Sequence, residues 1–142
     1  KSMVKPSLED LSNFIKTSKV LHICGSTQPI ISDMTSIGYD GISVEEKVDI
    51  KRAKEELGKG GRVIRTGGRT MSMGGGSTSK IVGNISTTQT LFRSTTDEVK
   101  AEVKRALEDG VDVLAPSCGL APLSPIENIK AMVEARNEYF GI

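Results

Sequence analysis

Apolar positions in this chain keep alternating between a helical rhythm and short, nearly continuous runs. Leu8, Leu11, Phe14 and Ile15 fall on one helical face and predict a helix over 6–18, with Ser7 as N-cap after Pro6 and Glu9 and Asp10 in the first turn. The run 19–24 follows as a strand. Gly25-Ser26-Thr27 then turns into a helix with Pro29 near its start, Ile30, Ile31, Met34 and Ile37 as its buried stripe and Gly38 at its end. A short strand over 39–45 precedes a charged helix over 47–58 that carries Val48, Ile50, Ala53 and Leu57 inward. Arg62-Val63-Ile64 looks like the start of a strand, and Lys80–Ile85 is another strand. A helix over 95–109 is capped by Thr95 or Thr96. It buries Val99, Val103, Ala106 and Leu107, while Glu98, Glu102 and Glu108 share its wet side with Lys100 and Lys104. A strand over 111–115 leads to a last helix over 125–140, with Ser124 as N-cap, Pro125 at the first helical position and Glu127 closing a capping box.

One stretch breaks the rhythm. Residues 65–79 hold five glycines and no branched aliphatic residue, a composition that predicts a flexible loop. It lacks the Lys-Ser/Thr ending of a phosphate loop and fits a dinucleotide fingerprint poorly. Its Arg65 and Arg69 are taken as solubilising.

The pattern sums to a helix and four strand–helix units, at 19–38, 39–58, 62–109 and 111–140. Strands alternating with helices imply an α/β fold with a parallel sheet and outer helices, either half of an eight-fold barrel or a small open sheet. In both, chemistry gathers at the C-terminal ends of the strands. His22, Cys24, Glu45, Asn84 and Cys118 all fall at that edge.

Composition narrows the function classes. The 142 residues suit one domain or part of one, and the core must be aliphatic, because aromatics are 4% and Trp is absent. Basic and acidic residues number 19 and 18, so the net charge of +1 gives no electrostatic reason to expect nucleic acid or an acidic membrane as partner. No apolar run is long enough to span a bilayer and no signal peptide is evident, which makes the cytoplasm the expected location. The start at Lys1 without Met suits a fragment or a processed chain.

Two cysteines far apart in a chain without a secretory signal argue against a disulfide framework and leave free thiols or metal ligation. His22 and Cys24 are two apart, on one face of an extended strand and roughly 6.5–7 Å from each other along it. Both are good ligands for a thiophilic metal, and Cys118 ends an equivalent strand. The competing reading is a buried thiol that acts as a small hydrophobe. Glu45 suits a fourth metal position or an acid–base group, against a solvated helix-cap acid. Asn84 suits a hydrogen bond to a ligand, against a turn former. Asp40 and Asp49 are expected to be ordinary surface residues.

Four segments carry a resemblance: His22-Ile23-Cys24-Gly25, Gly41-Ile42-Ser43-Val44-Glu45, Ile81-Val82-Gly83-Asn84-Ile85-Ser86 and Ala115-Pro116-Ser117-Cys118-Gly119-Leu120-Ala121-Pro122. Together they resemble the C-terminal half of methylcobalamin:coenzyme M methyltransferases. That family lies in the uroporphyrinogen decarboxylase-like superfamily of TIM barrels, whose last barrel helix is similar to residues 125–135. The resemblance covers nearly all of the chain except 62–79. It implies that residues 1–142 form the C-terminal half of a TIM (β/α)8 barrel with a Gly-rich insertion at about 65–79. It implies zinc held by His22, Cys24 and Cys118, with Glu45 as exchangeable fourth ligand or proton acceptor. It also implies methyl transfer from methylcobalamin on a methylated corrinoid protein to the thiol of coenzyme M (2-mercaptoethanesulfonate). Only four of about eight units are present, so the open barrel edges would invite self-association, and the chain alone is expected to be weak or inactive. The rival expectations are a decarboxylase-like enzyme that works without metal and a non-catalytic zinc-binding half-barrel module.

Overall fold

The computed structural model describes residues 3–59, 62–66, 69–73 and 79–142. Its element order is α1 (Val4–Phe14), β1 (Val20–His22), a 3-10 turn (Gln28–Ile30), α2 (Ile31–Ser36), β2 (Gly41–Ser43), α3 (Ile50–Lys59), β3 (Arg62–Thr66), β4 (Arg69–Met73), β5 (Lys80–Ile85), α4 (Thr96–Asp109), β6 (Val113–Pro116) and α5 (Ile126–Phe140). Four strands form one parallel sheet in the order β1-β2-β5-β6. Strand order therefore follows chain order once the β3–β4 pair is set aside, and each strand is followed by helix.

Register explains how the two faces of the sheet differ. Leu21, Ile42 and Ile81 stand side by side on β1, β2 and β5. All three are buried, and they join Ile31, Met34, Val48, Ala53, Leu57, Val99 and Val103 from the helical layer in one aliphatic core. Burying one such side chain fully contributes about 1.5–3 kcal/mol. The next residues along, His22, Ser43 and Val82, are also register partners, and Val82 pairs in turn with Val113. Because successive side chains alternate faces, this row points away from the core. Its outer members His22 and Val113 are exposed.

The apolar stripes predicted for α2, α3 and α4 are buried, Ile30 being only partly so. Thr95 caps α4 in a full capping box with Glu98, and Gly110 ends the helix at φ 106°. Gly83 has a necessity of its own. Its φ is 143°, and a Cβ there would lie 2.6 Å from the carbonyl oxygen of Val44. Only glycine lets β5 come this near to the end of β2.

Several expectations are corrected. The first helix begins at Val4, so Ser7 lies inside it and donates to the carbonyl of Met3 instead of capping. Pro6 is tolerated because first-turn N–H groups have no helical partner in any case. The supposed buried face of α1 is largely open: Leu8 is partly buried, but Leu11 is 48% and Phe14 82% exposed. The helix is held instead by Ser12, whose hydroxyl donates to the carbonyl of Gly38 at 3.0 Å. No capping box forms at Ser124 and Glu127. Helix α5 starts at Ile126, which makes Pro125 the cap residue and leaves Ser124 one position too early, its buried Oγ without a partner. Glu102 is not on the wet side of α4. It accepts from the backbone N–H of Ser86 at 2.9 Å and from the hydroxyl of Thr90, fastening the β5–α4 connection.

The expected loop over 65–79 is in part a hairpin. β3 and β4 pair antiparallel from Arg62↔Met73 to Thr66↔Arg69 and form a sheet of their own. The sequence signal for this was Gly67-Gly68, two glycines between two strands, a composition that suits a two-residue hairpin connection. The expectation for residues 74–78 falls outside the described residues. No helix among the described residues is long and apolar enough to cross a membrane.

Candidate metal centre

Three strands deliver four side chains to one point. His22 is the last residue of β1, Cys24 lies two beyond it, Glu45 lies two beyond the end of β2, and Cys118 lies two beyond the end of β6. One ligand atom from each falls within 4.8 Å of those from all the others. The His22 Nε2 is 3.2 Å from the Cys24 Sγ, and the two sulfurs are 3.8 Å apart.

That meeting is not a property of neighbouring strands. β1 and β6 are the outer strands of the sheet, three strand spacings apart, or about 14 Å if the sheet were flat. A thiol separation of 3.8 Å therefore requires the outer strand ends, and the segments beyond them, to turn toward one another. Local contacts hold those segments. Buried Ser117 donates its backbone N–H to the carbonyl of Ile85 at 2.8 Å, which docks the residue before Cys118 onto β5. Beyond Cys24, the Gln28 side-chain oxygen accepts the backbone N–H of Asp49 at 2.9 Å, linking the segments that follow β1 and β2. Asp49 is exposed, as expected of a surface residue, and its carboxylate accepts from the N–H of Arg52. Asp40 likewise accepts from the backbone N–H of Lys19.

The donor set fits a tetrahedral thiophilic ion. Two thiolates at the usual zinc–sulfur length of ~2.3 Å in tetrahedral geometry stand about 3.8 Å apart, and a sulfur and an imidazole nitrogen about 3.6 Å. The observed separations of 3.8 and 3.2 Å need only a small widening of the His22–Cys24 pair. His22, Cys24 and Cys118 are exposed and Glu45 half-buried, so a small ligand has access to the cluster. Without a cation the site disfavours negative charge. Hydrogen bonding with Cys118, followed by its charge, partial loss of hydration and nearby Glu45, pushes the Cys24 thiol above its ordinary value. A divalent cation reverses this, since a coordinating thiol gives up its proton.

Asn84 is on the wall of a separate feature, a cavity of about 400 Å³ whose lining includes Asp49 and Lys51 near the start of α3 and Glu102 and Arg105 of α4. Sequence reasoning passed over Ser43 as a site residue. Its Oγ lies 3.0 Å from the His22 Nδ1. The available signal was a polar residue in the otherwise apolar run Gly41-Ile42-Ser43-Val44, but only the register shows which residue faces it.

The sequence profile of the uroporphyrinogen decarboxylase (URO-D) family matches residues 1–139. The chain belongs to this family. Its four parallel strands with outer helices are a partial TIM barrel of the URO-D fold. Among its relatives, the methylcobamide:CoM methyltransferase MtaA of Methanosarcina barkeri is 42% identical over 140 residues, which are 99% of this chain and 36% of that protein. The methylcobamide:CoM methyltransferase MtbA of Methanosarcina acetivorans is 31% identical over 130 residues, 92% of this chain and 33% of that one. A solved methyltransferase from Methanosarcina mazei superposes with a TM-score of 0.82 at 41% identity, covering 98% of this chain and 36% of that chain. The chain thus spans about a third of the length of these relatives.

Proposed function

We propose that this URO-D family chain carries the metal-binding part of a zinc-dependent methyltransferase that moves a methyl group from a methylated corrinoid protein to the thiol of coenzyme M. The observation that carries the proposal is the convergence of His22, Cys24 and Cys118, with Glu45 beside them, at one point of the strand-end edge. The names of the relatives supply the reaction, and the donor set is compatible with it.

Zinc, when bound, would supply Lewis-acid stabilisation of a thiolate at neutral pH. His22, Cys24 and Cys118 would hold it. Two sulfur donors beside one neutral nitrogen keep the centre rich in electron density, which suits a sulfur nucleophile better than a harder set of oxygen ligands. Glu45 sits within reach of the same point, where its carboxylate would give up its place to the incoming thiol and take that thiol's proton. His22, Cys24 and Cys118 are exposed, which leaves the cluster open to a thiol.

Metal analysis of the chain purified without added metal is the first test. About one zinc per chain is expected, lost in Cys118→Ser with an affinity drop on the order of a thousandfold. Zinc retained in that variant would sink the ligand set. Demethylation of methylcobalamin with coenzyme M tests the chemistry, using the chain together with the remainder of the barrel. The chain alone is expected to be weak or inactive.

A further inference from the structure

We infer that Ser43 is a positioning residue for the metal centre, its hydroxyl accepting the Nδ1–H of His22 and so fixing the imidazole tautomer that turns the Nε2 lone pair toward the two thiols. This rests on the zinc reading above and adds a residue to it.

The geometry is set by the sheet. His22 and Ser43 are direct register partners on adjacent parallel strands, on the face turned away from the core. Side chains so paired stand about one strand spacing apart, within reach of a hydrogen bond between a ring and a hydroxyl. The Nδ1–Oγ distance is 3.0 Å. The other ring nitrogen is 3.2 Å from the Cys24 sulfur, so Nε2 is the atom offered to the cluster. An imidazole that ligates through Nε2 carries its proton on Nδ1, and that proton needs an acceptor. Ser43 provides one. On its far side the register partner is Val82, which is apolar, and among the described residues the Ser43 hydroxyl makes no other hydrogen bond. The β2 strand therefore holds the ring of a β1 residue in the orientation and protonation that ligation requires. Partners of this kind typically contribute 10–100-fold to metal affinity.

His22 is the single histidine of the chain, so imidazole signals have one origin. The test uses the whole chain as wild type, Ser43→Ala and Ser43→Thr. Zinc affinity is measured by competition with a chromophoric chelator, and the ring tautomer by nitrogen-15 NMR of metal-free protein labelled at histidine. The wild type is expected in the Nδ1–H form. Ser43→Ala should lose this preference and bind zinc about 10–100-fold more weakly, and Ser43→Thr, which keeps the hydroxyl, should recover most of both. A wild-type ring in the Nε2–H form would overturn the proposal even if the alanine variant failed to fold. Wild-type zinc binding matched by Ser43→Ala would overturn it, as would weakened binding with an unchanged tautomer, which would indicate a merely structural effect. Absence of zinc from the wild type would remove the zinc reading and this proposal together.

Discussion

The two faces of the same parallel sheet are built on opposite terms. Toward the helices, Leu21, Ile42 and Ile81 are register neighbours in a buried aliphatic row. One residue further along, His22, Ser43 and Val82 form the row that leads to the thiols and the carboxylate. The first row is anonymous, since any well-fitted aliphatic side chain would serve. In the second row and the strand ends beyond it, three of the four cluster members are exposed, so they bury little surface and contribute little to folding. Stability and metal chemistry should therefore separate by substitution, although the residues involved are adjacent in the chain.

The largest expected separation lies in the core. Ile81 is fully buried in the central strand β5, and Ile81→Ala should cost about 2–5 kcal/mol in denaturant unfolding. The fraction that remains folded should still bind zinc with wild-type stoichiometry. Loss of zinc from that folded fraction would show that the two faces are coupled.

A pH titration addresses the other face. The raised thiol pKa of Cys24 means that the metal-free site keeps its protons to higher pH, and zinc must displace them. Apparent zinc affinity should therefore rise with pH, by at least about tenfold per unit between pH 6 and 8, or about 2.7 kcal/mol over that range. An affinity that is flat across this window would argue against thiolate ligation. Thermal stability of the metal-free chain is expected to change little over the same window.

The smallest effect belongs to a site remote from both faces. Thr95→Ala removes the cap of α4 and should cost about 1 kcal/mol of stability with zinc affinity unchanged. Glu98, its partner in the capping box, has its carboxyl held below the ordinary range by the backbone and hydroxyl of Thr95. A carboxylate depressed on folding adds stability above its unfolded pKa, and that stability is lost as pH falls through the folded value. The acid sensitivity contributed by this cap should shrink but persist in the alanine variant, which loses the hydroxyl and keeps the backbone N–H that is the larger cause.

Elements whose burial follows from local periodicity were legible in the sequence. The stripes of α2, α3 and α4 and the Thr95 cap each depend on residues within a turn or two of one another. The misread elements depend on what lies across from them. Leu11 and Phe14 have the spacing of a buried face but find too little to cover them. Glu102 looks solvated from its own helix yet receives the backbone of Ser86 from the preceding connection. The Ser124 cap failed by a single residue, because helix α5 starts after Pro125 and not at it.

The candidate metal centre divides along the same line. Sequence alone determined the inventory, one histidine and two cysteines of the right chemistry at predicted strand ends, with Glu45 at another. Tertiary structure decided that they meet. Cys24 and Cys118 are 94 residues apart in sequence and follow the two outer strands of the sheet, so no local pattern encodes their separation of 3.8 Å. It follows from the way the outer strand ends turn toward each other. Ser43 is the plainest case, because its place beside His22 is a matter of register, and register is set by the packing of the whole buried face.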